Sequence, residues 1–400
     1  MVQALAHSAV QQFIHDHEKD DVRELVLKKK IIEGIPSSVI ANQIICRRKA
    51  LEKLPLWYAT RGVVYPPPIN LEQSSSEATA RFKTEILRNA LGKKLPVNSG
   101  IDLTGGFGVD AFFLSALARQ FHHVEPDATL IELARFNHHL LGNSSLHYHP
   151  LSANEFLSAG TEGFDFIYID PSRRKSGNKK IFRLSECEPD VVQLLPRLVE
   201  KANVVLIKTS PLLDIQQGLR ALKGVSEAFV ISVDNECKEV LFLYRKDVAD
   251  EPLVHAINLS STVEQFEFRP SEEKQAISHF SAPQTYLYEP NASILKAGAF
   301  KLIGLTFQLA KLHHSTHLYT SGILHTDFPG RIFRVKSPVM TKNVHDFFPA
   351  GKANVIARNY PLPAEALKKK LKLKDGGEDY LIATTGPSNR RYLLAVSRMK

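Results

Sequence analysis

The sequence has few cysteines, no long apolar run and no cluster of metal ligands, and each absence excludes a class of protein. Its 400 residues include three cysteines, spaced too widely for a disulfide framework or a zinc site, so we expect reduced cysteines with structural roles. No window stays apolar long enough to cross a bilayer, and the N-terminus shows no signal-peptide pattern. The histidines His313, His314 and His317 lack cysteine or acid partners at ligand spacing. We therefore expect a cytoplasmic protein with no membrane partner and no metal.

Positive charge is in excess and is concentrated in two places. The formal net charge is +9, and residues 351–400 hold eleven Lys and Arg against four acids. The centre of this surplus is "LKKKLKLK", Leu367 to Lys374, and a second cluster is "RRKSGNKK", Arg173 to Lys180. Clustered cations are typical of surfaces that meet nucleic-acid phosphates. For "LKKKLKLK" alone, an ordinary solvated face is an equally good interpretation.

The sequence divides into a helical start and an alternating middle. Residues 1–95 show helical apolar spacing up to a break at "YPPPIN", and Ser74 and Glu77 then have the spacing of a capping box. Residues 96–247 alternate short strands with helices, which predicts an α/β, doubly wound sheet. The link "NEC" is too short for a crossover helix, so the last strand should run antiparallel. Seven strands are expected, at "IDLT", "HHVE", "LHYH", "FDFIYID", "ANVVLIKT", "EAFVISVD" and "EVLFLY".

Two smaller modules are expected after residue 247. Residues 248–335 read as a small α+β subdomain of ferredoxin-like type, with a strand end and one or two helices in "YLYEPNASILKAGAFKLIGLTFQLAKL". Residues 336–400 read as a basic α+β domain, because "ANVIARNY", "PAEALKKKL", "DYLIATTG" and "RYLLAVSR" give a strand, a helix and two strands.

The stretch "IDLTGGFGVD" joins the first predicted strand of the sheet to a helix through three glycines. Gly105, Gly106 and Gly108 allow close approach of a ligand to the backbone. A dinucleotide fingerprint requires glycine where Asp110 stands, and the carboxylate of Asp102 repels pyrophosphate. The turn therefore favours a ligand that lacks phosphate and carries positive charge. The alternative is a strand-to-helix turn that binds nothing.

A second acid, Glu125, ends the next predicted strand, 23 residues after Asp102. This spacing is close to that at which a carboxylate reaches ribose hydroxyls in such folds. The two acids and the glycine turn together describe a nucleoside with a cationic substituent, and S-adenosylmethionine fits that description. The alternative for Glu125 is an acid that complements the dipole of the following helix.

With these features, residues 75–245 resemble the class I S-adenosylmethionine-dependent methyltransferases. "IDLTGGFGVD" is similar to their first motif in the form D-x-T-x-G-x-G-x-D, found in some ribosomal RNA methyltransferases. "VEPDATLIELARFNHHLLG" resembles the second-strand motif, and "FDFIYIDPSRR" resembles the fourth motif, where methyl donor and acceptor meet. The resemblance implies a seven-stranded Rossmann-like methyltransferase sheet and S-adenosylmethionine as cofactor. The cofactor-binding residues that it implies are Asp102, Thr104, Gly105, Gly106, Gly108, Asp110, Glu125, Pro126, Ser152, Ala153 and Asp170.

Two further features refine the resemblance. In "LSANEFL", Ser152 stands where the family often has an Asp that contacts the adenine amino group. The order of a helical N-terminal region, a methyltransferase domain and a basic C-terminal end is similar to bacterial methyltransferases that carry a THUMP-like C-terminal domain. THUMP domains bind RNA, so the resemblance implies an RNA partner.

The stretch "DPSRR" is the predicted catalytic turn. Methyl transfer requires in-line placement of an acceptor lone pair, and a nearby carboxylate can remove the acceptor proton. We assign that role to Asp170, assisted by the main-chain carbonyls of Pro171 and Ser172, with Arg173 at the acceptor; the alternative is that Asp170 only forms the turn. The predicted contacts to RNA phosphates are Arg173, Arg174, Lys175 and Lys208. Alternatively, Arg173 forms a salt bridge with Asp170 or Asp102.

The same turn constrains the acceptor atom. Amino-directed methyltransferases carry D/N-P-P-Y/F/W, whereas Ser172 and Arg173 occupy the last two positions here. RNA 5-methyluridine enzymes carry a nucleophilic cysteine after the next strand, where this sequence has Thr209 and Ser210. These differences favour direct transfer to nitrogen or oxygen of an RNA nucleotide. The alternatives are a methyltransferase acting on a small molecule or protein, or an RNA-binding protein with an inactive methyltransferase fold.

Overall fold

The computed structural model describes residues 1–160, 163–173, 183–246, 248 and 251–400, with Arg173 described by its backbone only. The chain forms two compact units. The first comprises Met1–Ser226 and Val240–Asp250, and the second comprises Glu227–Glu239 and Glu251–Lys400. No helix in the described part of the chain is both long and apolar enough to span a membrane.

The first unit begins with a helical N-terminal region, as the sequence predicts. These helices are α1 (Val2–Ala6), α2 (Ser8–Asp16), α3 (Val22–Lys28), α4 (Ser37–Lys53), α5 (Pro55–Ala59), α6 (Pro68–Gln73) and α7 (Glu77–Leu91). A small antiparallel pair, β1 (Ile31–Ile32) and β2 (Ile35–Pro36), precedes α4. The fully buried Trp57 lies in a hydrophobic core that the helices share with Phe107 and Phe113 of the α/β region. Apolar burial therefore packs the N-terminal helices onto the part of the unit that holds the glycine turn.

Buried amides hold the segment that leads into α6. Gln43 donates to the carbonyl oxygen of Tyr65 at 2.7 Å and accepts from its N–H at 2.8 Å. Asn137 makes the same pair of bonds to Val64, at 2.8 and 3.1 Å. Each amide satisfies a donor and an acceptor that burial would otherwise leave unpaired. The start of α6 is therefore fixed relative to the α/β region.

The predicted capping box at Ser74 and Glu77 is wrong. Ser76 is the N-cap of α7 and accepts from the N–H of Thr79 at 3.2 Å. Ser74 instead follows the last residue of α6 and donates to the carbonyl oxygen of Leu71 at 2.8 Å. Three consecutive serines offer three equivalent caps, so the spacing to one acid could not select the correct one.

All seven strands predicted for the α/β region are present. They are β3 (Val97–Asp102), β4 (Ala118–Val124), β5 (Leu146–His149), β6 (Phe164–Ile169), β9 (Ala202–Thr209), β10 (Val225–Val233) and β11 (Glu236–Arg245). They lie in the order β5-β4-β3-β6-β9-β11-β10. The first five are parallel, and β11 is antiparallel to β9, as the short "NEC" link predicts. The predicted α/β class and the Rossmann-like methyltransferase sheet are confirmed.

Helices alternate with these strands. They are α8 (Val109–Leu114), α9 (Ala128–Leu140), α10 (Ala153–Ala159), α11 (Val191–Lys201) and α12 (Ile215–Ala221), with 3-10 turns at Ser115–Leu117 and Leu184–Glu186. A short antiparallel pair, β7 (Ser172–Arg173) and β8 (Cys187–Glu188), follows β6. Strand β3 has β4 on one side and β6 on the other, so the strand order reverses at β3. In an open parallel sheet this is where a ligand cleft forms.

The second unit contains a separate sheet built from the C-terminal residues. Its strands are β14 (Tyr286–Pro290), β15 (Ala310–His313), β16 (Thr316–Ser321), β17 (Gly330–Pro338), β18 (Asn354–Arg358), β19 (Asp379–Thr385) and β20 (Arg391–Arg398), in the order β15-β16-β14-β17-β20-β19-β18. Strand β17 pairs with β14 and with β20. The segments 248–335 and 336–400 thus contribute to one sheet, and their boundary stays a prediction.

The remaining elements of the second unit are short. Strand β12 (Leu253–Leu259) pairs with residues 227–233 of β10 and with β13 (Val263–Phe268). The helices are α13 (Pro270–Gln275), α14 (Ala292–Ala297), α15 (Leu302–Thr306), α16 (Val344–Phe347) and α17 (Ala364–Leu371), with 3-10 turns at Thr341–Asn343 and Pro387–Asn389.

Candidate active site

A cavity of about 340 Å³ opens at the carboxyl ends of β3, β4 and β6. Its volume lies in the range of small-molecule sites. The parallel strands deliver their last residues to one edge of the sheet, and α6 with its link to α7 supplies another wall. The lining residues are Asn70, Gln73, Ser74, Ser75, Asp102, Leu103, Thr104, Gly105, Gly106, Phe107, Gly108, Val109, Asp110, Glu125, Pro126, Leu130, Ser152, Ala153, Asn154, Asp170, Ser172, Glu188 and Pro189.

Thr104 joins the first and fourth sequence motifs. Its N–H and hydroxyl donate to Asp102 Oδ1 at 2.9 and 3.3 Å. The same hydroxyl accepts from the backbone N–H of Asp170 at 2.6 Å. The side chain of Thr104 therefore holds the ends of β3 and β6 together. A glycine at this position would have no hydroxyl to do so.

Two histidine rings lie directly behind the glycine turn. A Cβ added to Gly105 would overlap the ring of His123, and one added to Gly108 would lie 2.6 Å from His138 Nε2. Gly108 also has φ +90°, and Gly106 has φ +53° with open space beside it. Glycine is thus required at positions 105 and 108 by packing against histidine, and only Gly106 leaves its free side open to a ligand.

His138 fixes the backbone of this turn. Its Nε2 is 2.9 Å from the carbonyl oxygen of Gly108, and its Nδ1 is 2.8 Å from the hydroxyl of Tyr148. Burial lowers the pKa of His138 to about 4, so the ring is neutral near pH 7. Because a carbonyl only accepts, Nε2 carries the proton and Tyr148 donates to Nδ1.

Asp102 is a buried acid without a cation partner in the described part of the chain. It is 1% exposed, and its described hydrogen bonds come from Thr104. Burial raises the pKa of Asp102 well above its ordinary value, with further raising by Asp110 and Asp170, which outweighs the bonds from Thr104. A cation that enters the cavity would favour the ionised carboxylate.

Asp110 is buried but has a cation beside it. Lys83 of α7 is fully buried, with Nζ 3.2 Å from Asp110 Oδ1, and it donates to Ser75 Oγ at 3.0 Å. Asp110 Oδ2 accepts from Ser75 and Tyr168 at 2.7 and 2.8 Å. Burial opposes ionisation of Asp110, but Lys83 and then Lys208 lower its pKa below the usual value. Asp110 thus anchors the first turn of α8 to α7.

Glu125 holds the glycine turn from the side of β4. It accepts from the N–H of Gly106 at 2.9 Å and from the N–H of Asp127 at 3.0 Å. The cap of α9 is Asp127, which accepts from Thr129 and Leu130, so Glu125 is not needed as the helix cap. Burial is the largest effect on Glu125 and raises its pKa. Within the described residues, Glu125 also has no cation partner.

Asp170 is paired with Lys208 at the ends of β6 and β9. Lys208 Nζ donates to Asp170 Oδ2, and both side chains are partly buried. Pro171 is buried, and Ser172 pairs with Glu188 through the β7 and β8 backbones. The side chain of Arg173, and all of Arg174 and Lys175, lie outside the described residues. Lys208 thus forms a salt bridge with Asp170, a contact that the alternative interpretation of the sequence assigned to Arg173.

Ser152 has a structural partner. It is the N-cap of α10 and forms a capping box with Glu155, whose N–H donates to Ser152 Oγ at 3.3 Å. The N–H and hydroxyl of Ser152 donate to Glu155 Oε2 at 2.8 and 2.7 Å. Ala153 and Asn154, which follow it, also line the cavity.

The structure thus brings together at the cavity every predicted cofactor residue, with Ser172 beside them. Sequence reasoning missed the wall formed by Asn70, Gln73, Ser74 and Ser75. The available signal was the proline-rich and serine-rich break between the helical and α/β regions, which we interpreted only as a boundary. In the described residues, no group of three or more His, Cys, Asp or Glu side chains could hold a metal.

Two family models match the C-terminal part of the chain. They are a ferredoxin-like domain over residues 286–329 and a THUMP domain-like model over residues 330–398. Among solved structures, a Porphyromonas gingivalis W83 protein assigned as a methyltransferase is 30% identical, and the match covers 98% of each chain with a TM-score of 0.85. The chain belongs to the class I methyltransferases with a THUMP-like C-terminal domain. The resemblance seen in the sequence is confirmed.

Other methyltransferases match the fold of a smaller part. An S-adenosylmethionine-dependent methyltransferase from Agrobacterium tumefaciens is 17% identical and covers 41% of this chain and 61% of its own, with a TM-score of 0.33. A Streptococcus mutans protein assigned as a methyltransferase, in complex with SAH, is 15% identical and covers 45% and 98%, with a TM-score of 0.30. None of the curated proteins matches the chain.

Proposed function

We propose that this methyltransferase uses S-adenosylmethionine and transfers methyl directly to a nitrogen or oxygen of an RNA nucleotide in the cytoplasm. The observation that carries the cofactor proposal is the pair of carboxylates at the ends of adjacent strands, the buried Asp102 and the half-buried Glu125. Neither has a cation partner in the described part of the chain, and an open glycine, Gly106, lies between them. A nucleoside with a cationic substituent complements both acids.

The residues of the cavity fit such a cofactor. In the proposal, Glu125 accepts from the ribose hydroxyls and Asp102 faces the positive end of the methionine group. Pro126, Ser152 and Ala153 line the adenine end, and Gly106 allows close approach. The remaining proposed contacts are Thr104, Gly105, Gly108, Asp110 and Asp170. When bound, S-adenosylmethionine supplies an electrophilic methyl group on a good leaving group.

Asp170 is the proposed acceptor of the proton that the substrate atom loses. Lys208 pairs with Asp170 Oδ2 and holds the carboxylate at the end of β6. The backbone N–H of Asp170 is held by Thr104, so the end of β6 is fixed relative to the glycine turn. Pro171 and Ser172 carry carbonyls in the same turn, and Arg173 is the proposed acceptor contact.

The RNA proposal rests on the THUMP-like domain and on the positive charge. The family model spans residues 330–398, which include most of the C-terminal surplus of Lys and Arg. The cluster Arg173 to Lys180 follows the proposed catalytic turn in sequence. We propose that Arg173, Arg174, Lys175 and Lys208 contact phosphates of the bound RNA.

Replacement of Asp170 by Asn tests the proposed site. Asp170→Asn preserves the shape and removes the base, so we expect methyl transfer to RNA to fall by about 100-fold or more. Affinity for S-adenosylmethionine, measured by calorimetry, should change by less than about twofold, because Asn keeps the shape and an acceptor oxygen at the proposed cofactor contact. Full activity of the variant would contradict the catalytic role. Loss of cofactor binding would instead assign Asp170 to the cofactor site alone.

A further inference from the structure

Most polar side chains of the cavity already have partners within the protein. The carboxylates and hydroxyls with such partners are those of Ser74, Ser75, Asp102, Thr104, Asp110, Glu125, Ser152, Asp170 and Ser172. By contrast, the side-chain amides of Asn70, Gln73 and Asn154 line the cavity and make no hydrogen bond to any described residue. These three amides are therefore available to a ligand.

The three amides lie on different walls. Asn154 follows Ser152 and Ala153 at the start of α10, on the proposed adenine side. Asn70 and Gln73 belong to α6, outside the sheet motifs that hold the cofactor in the proposal. Asn70 and Gln73 are therefore suited to contact a ligand group other than the cofactor.

A chain of bonds attaches the end of α6 to the strand that carries Asp170. Ser75 donates to Asp110 Oδ2 at 2.7 Å, and Tyr168 donates to the same oxygen at 2.8 Å. Tyr168 lies two residues before Asp170 on the same stretch of chain. The amides of α6 are thus held on a wall that is fixed relative to the proposed catalytic carboxylate.

A primary amide presents a donor and an acceptor side by side without charge. Nucleobases present the same alternation along their polar edges, and Asn and Gln commonly pair with them in two hydrogen bonds. If the methyl acceptor were a lysine or carboxylate of a protein, an oppositely charged side chain would be expected to face it. Two uncharged amides therefore complement a base better than an ionic group of a protein.

We propose that Asn70 and Gln73 recognise the acceptor base by its polar edge and present its reacting atom to Asp170. This assignment rests on the proposed function and extends it, because it makes the acceptor a nucleobase and gives its recognition to the helical N-terminal region. The two amides are specificity-determining residues, distinct from the residues that hold the cofactor.

Steady-state kinetics with RNA provide the first test. The double variant Asn70→Ala/Gln73→Ala should raise KM for RNA by about tenfold or more and change affinity for S-adenosylmethionine by less than about twofold. The matched control is Glu72→Ala on the same helix, since Glu72 pairs with Lys49 and does not line the cavity. The isosteric pair Asn70→Asp/Gln73→Glu keeps the shape and should also raise KM, because it removes both donors.

Nucleoside binding keeps the inference testable even if RNA is not the substrate. With the protein saturated by S-adenosylhomocysteine, saturation-transfer NMR with adenosine, cytidine, guanosine and uridine should show base-proton signals for at least one nucleoside. These signals should persist in Glu72→Ala and disappear in both double variants. Equal signals in wild type and double variants, or no nucleoside signal in wild type, would overturn base recognition. Amide-dependent nucleoside binding without methyl transfer to RNA would overturn the proposed function alone.

Discussion

Asp102 is a buried acid whose protonation should change when a cationic ligand fills the cavity. Burial raises its pKa, and the chain offers it no cation among the described residues. In the free protein the folded state therefore holds this proton more tightly than the unfolded chain does. The stability that results is fully present below the unfolded pKa and is lost as pH rises through the folded pKa. A bound cation would stabilise the carboxylate and so prevent the loss of stability that ionisation of Asp102 causes in the free protein.

Replacement of Asp102 by Asn should separate stability from binding. Asp102→Asn cannot ionise, so the free variant should unfold at a higher temperature than wild type at alkaline pH, and the difference should shrink as pH falls. Its affinity for S-adenosylmethionine should fall by about tenfold or more, because the proposed partner of the cationic end is lost. Thermal unfolding across pH and calorimetry measure the two effects. Unchanged affinity would remove Asp102 from the cofactor site.

At this scale the sequence predicted the acids well and their surroundings poorly. The sequence placed Asp102, Glu125 and Asp170 at the carboxyl ends of predicted strands, and parallel strands end at one edge of the sheet. The roles of His123 and His138 were not predictable, because the contact of each ring with a glycine depends on how β4 and α9 pack against the turn. Periodicity assigns a residue to a buried face but does not name its neighbour.

Helix α7 is joined to α8 through a buried ion pair. Lys83 is fully buried, and its described partners are Asp110 and Ser75. Removal of one member of such a pair leaves the other charge buried without compensation. The contact therefore makes the position of the glycine turn depend on the N-terminal helices.

Substitution of Lys83 tests this coupling between elements. Lys83→Met should lower the free energy of unfolding by about 3 to 5 kcal/mol, because Asp110 is left uncompensated. The control Arg88→Met, on the same helix, removes an exposed pair with Glu85 and should cost less than about 0.5 kcal/mol. Denaturant unfolding measures both. The double variant Lys83→Met/Asp110→Asn should recover part of the lost unfolding free energy. If Lys83→Met lost no more stability than the control Arg88→Met, the coupling would be contradicted.

Most elements were predictable from the sequence, but their contributions to the site were not. The alternation of apolar strands and helices predicted the strands β3, β4, β5, β6, β9, β10 and β11, since each pattern has its own period, but not the short pair β7 and β8. The start of α6, within "YPPPIN", was interpreted as a break because proline clusters signal loops. Its role as a cavity wall follows from tertiary contacts, namely the amide pairs at Tyr65 and Val64, which have no local sequence signature.

The lysines of the basic C-terminal segment 367–374 differ in their contacts. In α17 and the residues after it, Lys368 is buried and pairs with Glu365 and Asp375. Lys369, Lys370, Lys372 and Lys374 are exposed. Within this segment the exposed lysines are suited to contact phosphates, whereas Lys368 stabilises the segment through its ion pairs.

Salt dependence of RNA binding tests the role of this segment. Replacement of Lys369, Lys370, Lys372 and Lys374 by Gln should weaken RNA binding and reduce the slope of log K against log salt by up to about 3, as fewer counterions are released. The control replaces the exposed Lys28, Lys29 and Lys30 of the first unit by Gln and should leave the slope unchanged. Filter binding at several salt concentrations measures both. Equal slopes for the two variants would place the RNA contact elsewhere.

The division of the whole chain was only partly visible in the sequence. The sequence changes texture after residue 247, and the second unit of the structure includes Glu251–Lys400. That unit also takes in residues 227–239, the tip of the hairpin formed by β10 and β11. Such a boundary depends on which strands pair over long range. The local composition of the sequence does not predict that pairing.

Transfer of labelled methyl from S-adenosylmethionine into total RNA tests the central claim most directly. The purified protein is supplied with RNA from a strain that lacks its gene and with RNA from the wild-type strain. Label should enter only the RNA from the deletion strain, because the site in wild-type RNA is already methylated. Absence of label from both RNAs, with cofactor binding confirmed by calorimetry, would contradict an RNA substrate and point to a protein or small-molecule acceptor.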